Sequence, residues 1–397
     1  MCAASTSHIP ILRWTSENGD PYDPMQRIAQ PGLDLTVVPR GVIRELHAVL
    51  RPLPGETPTA LVTRLHGAIR ANVPGAEIVK MEVFGAVAGR NVLLGALRAR
   101  FGRLDWPVTW VEGEGCTGVP LAGLTVFAVA GAFVKTLVVE GRPAGRIFED
   151  DVARQVFLGD LTPANPAASP ADQARDVFER MEAGFAAASM PFNRLVRTWF
   201  FLDHLLDWYG PFNAVRTEFY GKRSMLEPPP ASTGVDGRNA AGAALTAAAW
   251  AVEPKGGGAV VQGVGSPLQC PAPKYGSSFS RAMEIAGGGV RRLVVSGTAS
   301  IAPGGETARI GDLRGQVGLT MDVIRAILVS RGMRFQDTTR AIAYFKDAKE
   351  AGAFNAWLAK EALPAFPVIV TRCGICRDDL LFELELDAIK PGAPPTA

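Results

Sequence analysis

The chain has 397 residues, long enough for more than one core, and 47% of them are hydrophobic, too many for a disordered polymer. Its 41 Lys+Arg against 39 Asp+Glu leave a formal charge of +2, which gives no footprint for nucleic acid or an anionic membrane surface. No histidine follows His204, so chemistry in the second half must do without an imidazole base or an imidazole–metal site.

The first twenty residues, MCAASTSHIPILRWTSENGD, lack a basic segment followed by an apolar one, so they do not read as a signal peptide. Residues 1–39 are expected to be an N-terminal extension. From 59 to 85, TALVTRLHGAIRANVPGAEIVKMEVFG has a helix-then-strand rhythm. The uncharged stretch from Gly115 to Val134 is long enough for a membrane span, but it holds Pro120 and four glycines. Its run LTVFAVAGAFV is therefore expected to be a buried strand. Five scattered cysteines do not make a secreted disulfide framework, and a cytoplasmic location is expected.

The C-terminal part is the most legible. Residues 293–301 (LVVSGTASI) predict a strand ending in a tight loop. Val317, Met321, Ile324 and Leu328 form one apolar helical stripe. A strand over 338–345, a helix over 350–362, and strands over 367–370 and 380–386 follow. This alternation predicts an α+β layer with helices on one sheet face.

That pattern repeats. Gln316, Met333, Phe335 and Arg340 stand 143 residues after Gln173, Met190, Phe192 and Arg197, and Phe-Asn-Ala occurs at 212–214 and again at 354–356. A fainter copy lies upstream, where Pro107-Val108 and Cys116 precede Pro367-Val368 and Cys376 by 260 residues. Three modules follow, at 40–145, 150–255 and 258–392.

The VVSGTAS turn, the two-helix layout and an arginine (Arg372) ahead of a last strand bearing Glu383 resemble the RidA (YjgF) family, whose subunits form trimers with a site in each inter-subunit cleft. More specifically, RTWFFLDHLLDWYGPFNAVRTEFYGKR (197–223), PASTGV (230–235), YGSSFSRA (275–282), VSGTASI (295–301) and CRDDLLFELE (376–385) resemble the chorismatases, two-lobed relatives that hydrolyse chorismate. The resemblance spans roughly 190–390. It implies three RidA-like modules forming a pseudo-trimer within one monomeric chain, with the site between modules two and three. It implies a small anionic, chorismate-like metabolite as partner, no nucleic acid or membrane, and no cofactor or metal.

Periodicity alone places Glu383, Glu385 and Asp387 on one face of LLFELEL and does not separate the first two. The resemblance selects Glu383 as the acid. A carboxyl group in a water-poor cleft has a raised pKa and can protonate the methylene carbon of an enolpyruvyl ether. Arg216 matches a carboxylate-binding arginine, and a second such position falls on Lys222 or Arg223. Tyr275 matches a pocket tyrosine, Gly297 and Thr298 sit where backbone N–H groups meet substrate, and Arg372 is a further candidate for a carboxylate. Cys373-Gly-Ile-Cys376 lacks the second pair that zinc requires. The pairing of Cys376 with Gly297 resembles the branch that makes 3-hydroxybenzoate, in which the cysteine acts on the ring. The alternatives are a RidA-type imine or enamine deaminase, using Arg372 and Glu383, and a non-catalytic metabolite-binding protein. The shift of 142 would put Ala241 opposite Glu383 in module two.

Overall fold

The computed structural model describes residues 12–14, 25–116 and 120–392, so part of the expected N-terminal extension lies outside the described residues. Three mixed sheets, each backed by two helices, follow one another along the chain. In the first, β1 (Leu12–Trp14), β2 (Gln26–Gln30), β3 (Leu33–Arg40), β4 (Ile43–Leu50), β5 (Glu77–Gly85), β6 (Val108–Val111) and β7 (Leu121–Ala130) are arranged β1-β2-β3-β4-β7-β5-β6. Its helices are α1 (Pro58–Asn72) and α2 (Arg90–Phe101). The second holds β8 (Lys135–Val139), β9 (Arg142–Glu149), β10 (Ala153–Leu161), β11 (Leu195–Leu202), β12 (Ala231–Asp236) and β13 (Leu245–Pro254), ordered β12-β11-β13-β10-β9-β8, with α3 (Pro170–Ala187) and α4 (Leu205–Gly221). The third holds β14 (Ala259–Val264), β15 (Ala282–Gly287), β16 (Val290–Ala299), β17 (Thr338–Phe345), β18 (Val368–Arg372) and β19 (Phe382–Pro391), ordered β14-β15-β16-β19-β17-β18, with α5 (Leu313–Ser330) and α6 (Gly352–Lys360).

The boundaries differ from those expected. Strands β2 and β3 belong to the first sheet although they begin before residue 40, and β8 and β9 pair with the second sheet although they precede residue 150. Short hairpin strands carry weak alternation, so the sequence pattern does not place them in a module. The uncharged stretch before Val134 contains β7, a buried central strand, and no helix among the described residues is long and apolar enough to cross a membrane.

Each sheet buries one face under its own helices. Val317, Met321, Ile324 and Leu328 of α5 meet Phe382, Leu384 and Leu386 of β19, and equivalent clusters form in the other two modules. The opposite faces meet one another, with Phe84, Trp199, Phe201, Ile342 and Tyr344 in one shared core. Both faces of the central strands are thus covered, which accounts for the near-continuous burial of β11 and β17. The three modules stand around a common axis as a pseudo-trimer.

Strand register identifies equivalent residues. Arg340 pairs with Asp387, Arg197 with Trp250, and Lys80 with Phe127, so these three basic residues share one position. Their heads meet on the axis: Arg197 and Arg340 bind Glu385 at 2.8 and 2.5 Å, while Arg340 and Lys80 bind Glu82 at 2.7 and 2.8 Å. The repeated glutamines also share a task. Gln173 accepts from the Ala244 N–H, and Gln316 accepts from the Leu381 N–H, each fastening the loop that enters the last strand of its module.

The same register places Glu383, Thr246 and Gly123 at equivalent points, opposite Tyr344, Phe201 and Phe84. Thr246, rather than Ala241, therefore stands where Glu383 does. Loops between the repeats differ in length, so an offset measured at the helices does not carry to the last strand.

Candidate active site

A cavity of about 170 Å³ lies between modules two and three. Module two contributes one face of α4. This helix breaks at Trp208, whose φ of −144° is non-helical, and restarts before Pro211; proline is tolerated in a first turn because its missing N–H has no partner there anyway. Tyr209, Asn213 and Arg216 then project at i, i+4 and i+7 into the cavity, while Phe212, Val215 and Phe219 enter the module-two core.

Module three closes the other side with β16, the loop before β15, and the segment 376–383. Strand β16 bulges: Val295 pairs with Leu386 but Thr298 with Leu384, so Ser296 and Gly297 together occupy the space of one residue. Gly297 thereby faces Glu383. A Cβ at Gly297 would stand 2.0 Å from Glu383 Oε1. Only glycine leaves the carboxyl group where it is.

Glu383 is 4% exposed, and its carboxyl group has no hydrogen-bond partner among the described residues. Burial, with the neighbouring Glu385 carboxylate, raises its pKa to about 8, and Arg197 only partly opposes this. At neutral pH it is mostly a neutral acid. Glu385, two residues on, is the reverse case: burial pushes its carboxyl up, but Arg340 and Arg197 outweigh this and hold it below the usual value. The alternation of β19 does not end in a solvated acidic face; it turns one glutamate into a cavity acid and the other into an axial anion.

Three guanidinium groups line the same cavity without a carboxylate partner among the described residues. Arg216, 1% exposed, donates to Asn213 Oδ1 at 2.5 Å and reaches Ser232 Oγ at 3.5 Å, while its Nε has no partner. Arg281 donates to the Cys270 carbonyl at 2.7 and 3.1 Å. Arg377 makes one long contact, 3.4 Å to Thr307 Oγ1. Arg216 and Arg281 lie 5.8 and 5.5 Å from the Phe279 ring, and Arg281 and Arg377 each lie 5.4 Å from the Tyr275 ring. With Glu383 protonated, the cavity is cationic. It is built to take an anion with a flat apolar body.

Cys376 also lines the cavity, and burial, together with Glu383, raises its pKa to about 12, so it is a thiol at neutral pH. Cys373 points elsewhere and donates its thiol to the Asp236 carbonyl.

Arg216, Tyr275, Gly297, Cys376 and Glu383 are thus brought together, and four other expected residues are not. Lys222 is exposed and pairs with Glu218 at 2.5 Å. Arg223 is clamped by Glu182 at 2.6 and 2.5 Å and stacks on Phe219, 3.4 Å from the ring centre. Both sit one turn past the cavity, at the end of α4. Thr298 is buried with its hydroxyl donating to the Ser296 carbonyl, and the Gly297 N–H is already taken by Thr233 Oγ1 at 2.9 Å. Arg372 is exposed, and its N–H meets the Glu114 carbonyl of module one. Arg281, Arg377, Tyr209 and Asn213 were missed. Only the i, i+4, i+7 spacing on α4 signalled the last two.

No family model and no curated protein matches the chain. Among solved structures, it is similar to a putative endoribonuclease L-PSP from Entamoeba histolytica (20% identity, TM-score 0.28, 32% of this chain and 98% of that one) and to yeast Mmf1 (20%, 0.28, 33% and 99%). Each spans about one module. The arrangement of modules is similar to that in a crystal structure of a chorismatase, with 18% identity and a TM-score of 0.58 over 80% of this chain and 95% of that one.

Proposed function

We propose that the chain is a cofactor-free chorismatase-type enzyme that cleaves the enolpyruvyl ether of chorismate. The observation that carries this reading is the buried, unpartnered Glu383 carboxyl, with its pKa at about 8, in a cavity whose unpaired cations are Arg216, Arg281 and Arg377. An enol ether needs a proton on its methylene carbon, and a carboxylic acid kept neutral at pH 7 supplies it. The arginines hold the carboxylates, and the ring lies against Phe279 and Tyr275. Proton transfer gives an oxocarbenium ion. Capture by water gives a hemiketal, whose collapse releases pyruvate and a dihydroxy-cyclohexadiene carboxylate. Capture by the ring's own 4-hydroxyl instead gives a cyclic ketal; loss of the C3 proton with cleavage of the C4–O bond, which takes up a proton, aromatises the ring beside the Cys376 thiol and leaves a hemiketal that collapses to pyruvate and 3-hydroxybenzoate without net consumption of water.

The deaminase reading draws its carboxylate anchor from Arg372, which lies outside the cavity. The test is incubation of the purified protein with chorismate, with pyruvate read by coupled reduction and the ring products by chromatography. Pyruvate together with 3-hydroxybenzoate or the diene supports the reading. Absence of pyruvate overturns it.

A further inference from the structure

The acid of the cavity and the ionic cluster of the axis sit on one strand. Glu383 and Glu385 are two residues apart on β19, so both project from the same face toward module two. Glu385, fully buried, takes Arg197 Nη2 at 2.8 Å, Arg340 Nη2 at 2.5 Å and Trp199 Nε1 at 3.2 Å. Arg197 Nη2 also donates to Thr233 Oγ1 at 2.7 Å, and that oxygen accepts the Gly297 N–H at 2.9 Å. Thr233 therefore ties the axial ion pair of module two to the bulge of module three, against which Glu383 rests.

We infer that Glu385 is a positioning residue for Glu383: held by Arg197 and Arg340, it places a fixed negative charge behind the cavity acid and sets the pH at which that acid gives up its proton. The inference rests on the reading of Glu383 as the proton donor, but its physical content does not need turnover. A second ionised carboxylate close behind the first disfavours ionisation of the first, most strongly where water is excluded. Neither of the other clefts has this device. The positions equivalent to Glu383 and Glu385 are Thr246 and Ala248 in module two, and Gly123 and Thr125 in module one.

Other charges facing Glu383 act in the opposite sense or are neutral. From module two these are Arg197 on β11, Arg216 and Tyr209 on α4. From module three they are Arg281, Arg377, Tyr275, Cys376 and Cys373, with Tyr344 across the strand on β17. Glu385 is the one ionised carboxylate among these neighbours, so removing its charge should have a sign opposite to removing Arg197.

The test is a titration of the Glu383 carboxyl in the protein without substrate, by carbon-detected NMR of labelled glutamate, with Glu383→Gln assigning the signal. Glu385→Gln should lower the midpoint from near 8 by at least one pH unit, and Glu385→Asp should restore most of it. Arg197→Met should raise the midpoint directly, and Arg197→Met combined with Glu385→Gln, in which the buried anion and its partner leave together, should titrate below Arg197→Met, which decides the question if Glu385→Gln alone does not fold. With chorismate, the alkaline limb of pyruvate release should move with the titration. A folded Glu385→Gln protein whose Glu383 titrates as in the unmodified chain, or a doubly substituted protein that titrates as Arg197→Met does, would overturn the inference. Loss of pyruvate release with the titration shifts intact would instead count against the proposed reaction alone.

Discussion

Glu383 Oε1 occupies the space that a side chain on Gly297 would need, with 2.0 Å between that oxygen and an ideal Cβ. The obstructing atom is the far end of a flexible side chain, and the Gly297 backbone is not in the left-handed region. Gly297→Ala should therefore fold, at a stability cost of about 1 kcal/mol, the low end for overpacking, because the carboxyl can rotate away. Rotation takes the acid from its place. The expected result is a fall in kcat of about tenfold or more with little change in melting temperature, read by thermal unfolding beside pyruvate release. A variant as active as the parent would show that the contact does not hold the acid.

Glu383 should govern two pH dependences. Turnover should fall as pH rises through about 8, where the acid ionises, and Glu383→Gln should lower kcat by on the order of 10²-fold or more at neutral pH, the gap closing as pH rises above 8. Stability follows from the same raised pKa. The folded state holds a proton that an unfolded glutamate releases near its ordinary value of 4.5, so this contribution is complete below 4.5 and is lost as pH rises toward 8. Urea unfolding between pH 5 and 9 should show that decline in the unmodified protein. Glu383→Gln should flatten it.

Much of this was legible in the sequence for a physical reason. The third module's helical stripe and β-branched runs carry the two periodicities at full strength, and its predicted elements lie within a few residues of the observed ones. The repeated glutamines and arginines were visible because each has a fixed task, loop fastening or axial pairing. What was not legible depends on contact between modules. The alternation of β19 treats Glu383 and Glu385 alike. Arg340, with Arg197 arriving from module two, makes Glu385 an anion, while burial beside that anion leaves Glu383 an acid. Lys222 and Arg223 failed as candidates because Glu218 and Glu182, on the helix surface, claim them first.

Arg216 should bind substrate without stabilising the fold. It is buried and lacks a carboxylate partner among the described residues, so its desolvation is not offset until an anion arrives. Arg216→Met should raise KM at least tenfold while leaving the melting temperature unchanged or higher. Lys222→Ala and Arg372→Ala, both exposed and outside the cavity, should leave KM and kcat as they are. Isothermal titration with chorismate or a dicarboxylate analogue separates these outcomes. Equal losses in all three variants would point to general charge attraction rather than a built anion site.

Cys376 should affect the ring product and not pyruvate release. It borders the cavity that holds Glu383, yet burial keeps it a thiol well above neutral pH, with a pKa of about 12, so it is not a ready nucleophile. A neutral thiol can take part in proton movement at the ring only after the acid has opened the enol ether. Cys376→Ala removes that group and leaves a small apolar gap, while Glu383, Gly297 and the arginines stay in place. The expected outcome with chorismate is pyruvate within a few-fold of the parent rate, with the ring product shifted from 3-hydroxybenzoate toward the dihydroxy-cyclohexadiene carboxylate. If pyruvate release falls as far as in Glu383→Gln, the cysteine belongs to the protonation step itself. If the ring product does not change at all, Cys376 is only part of the cavity wall.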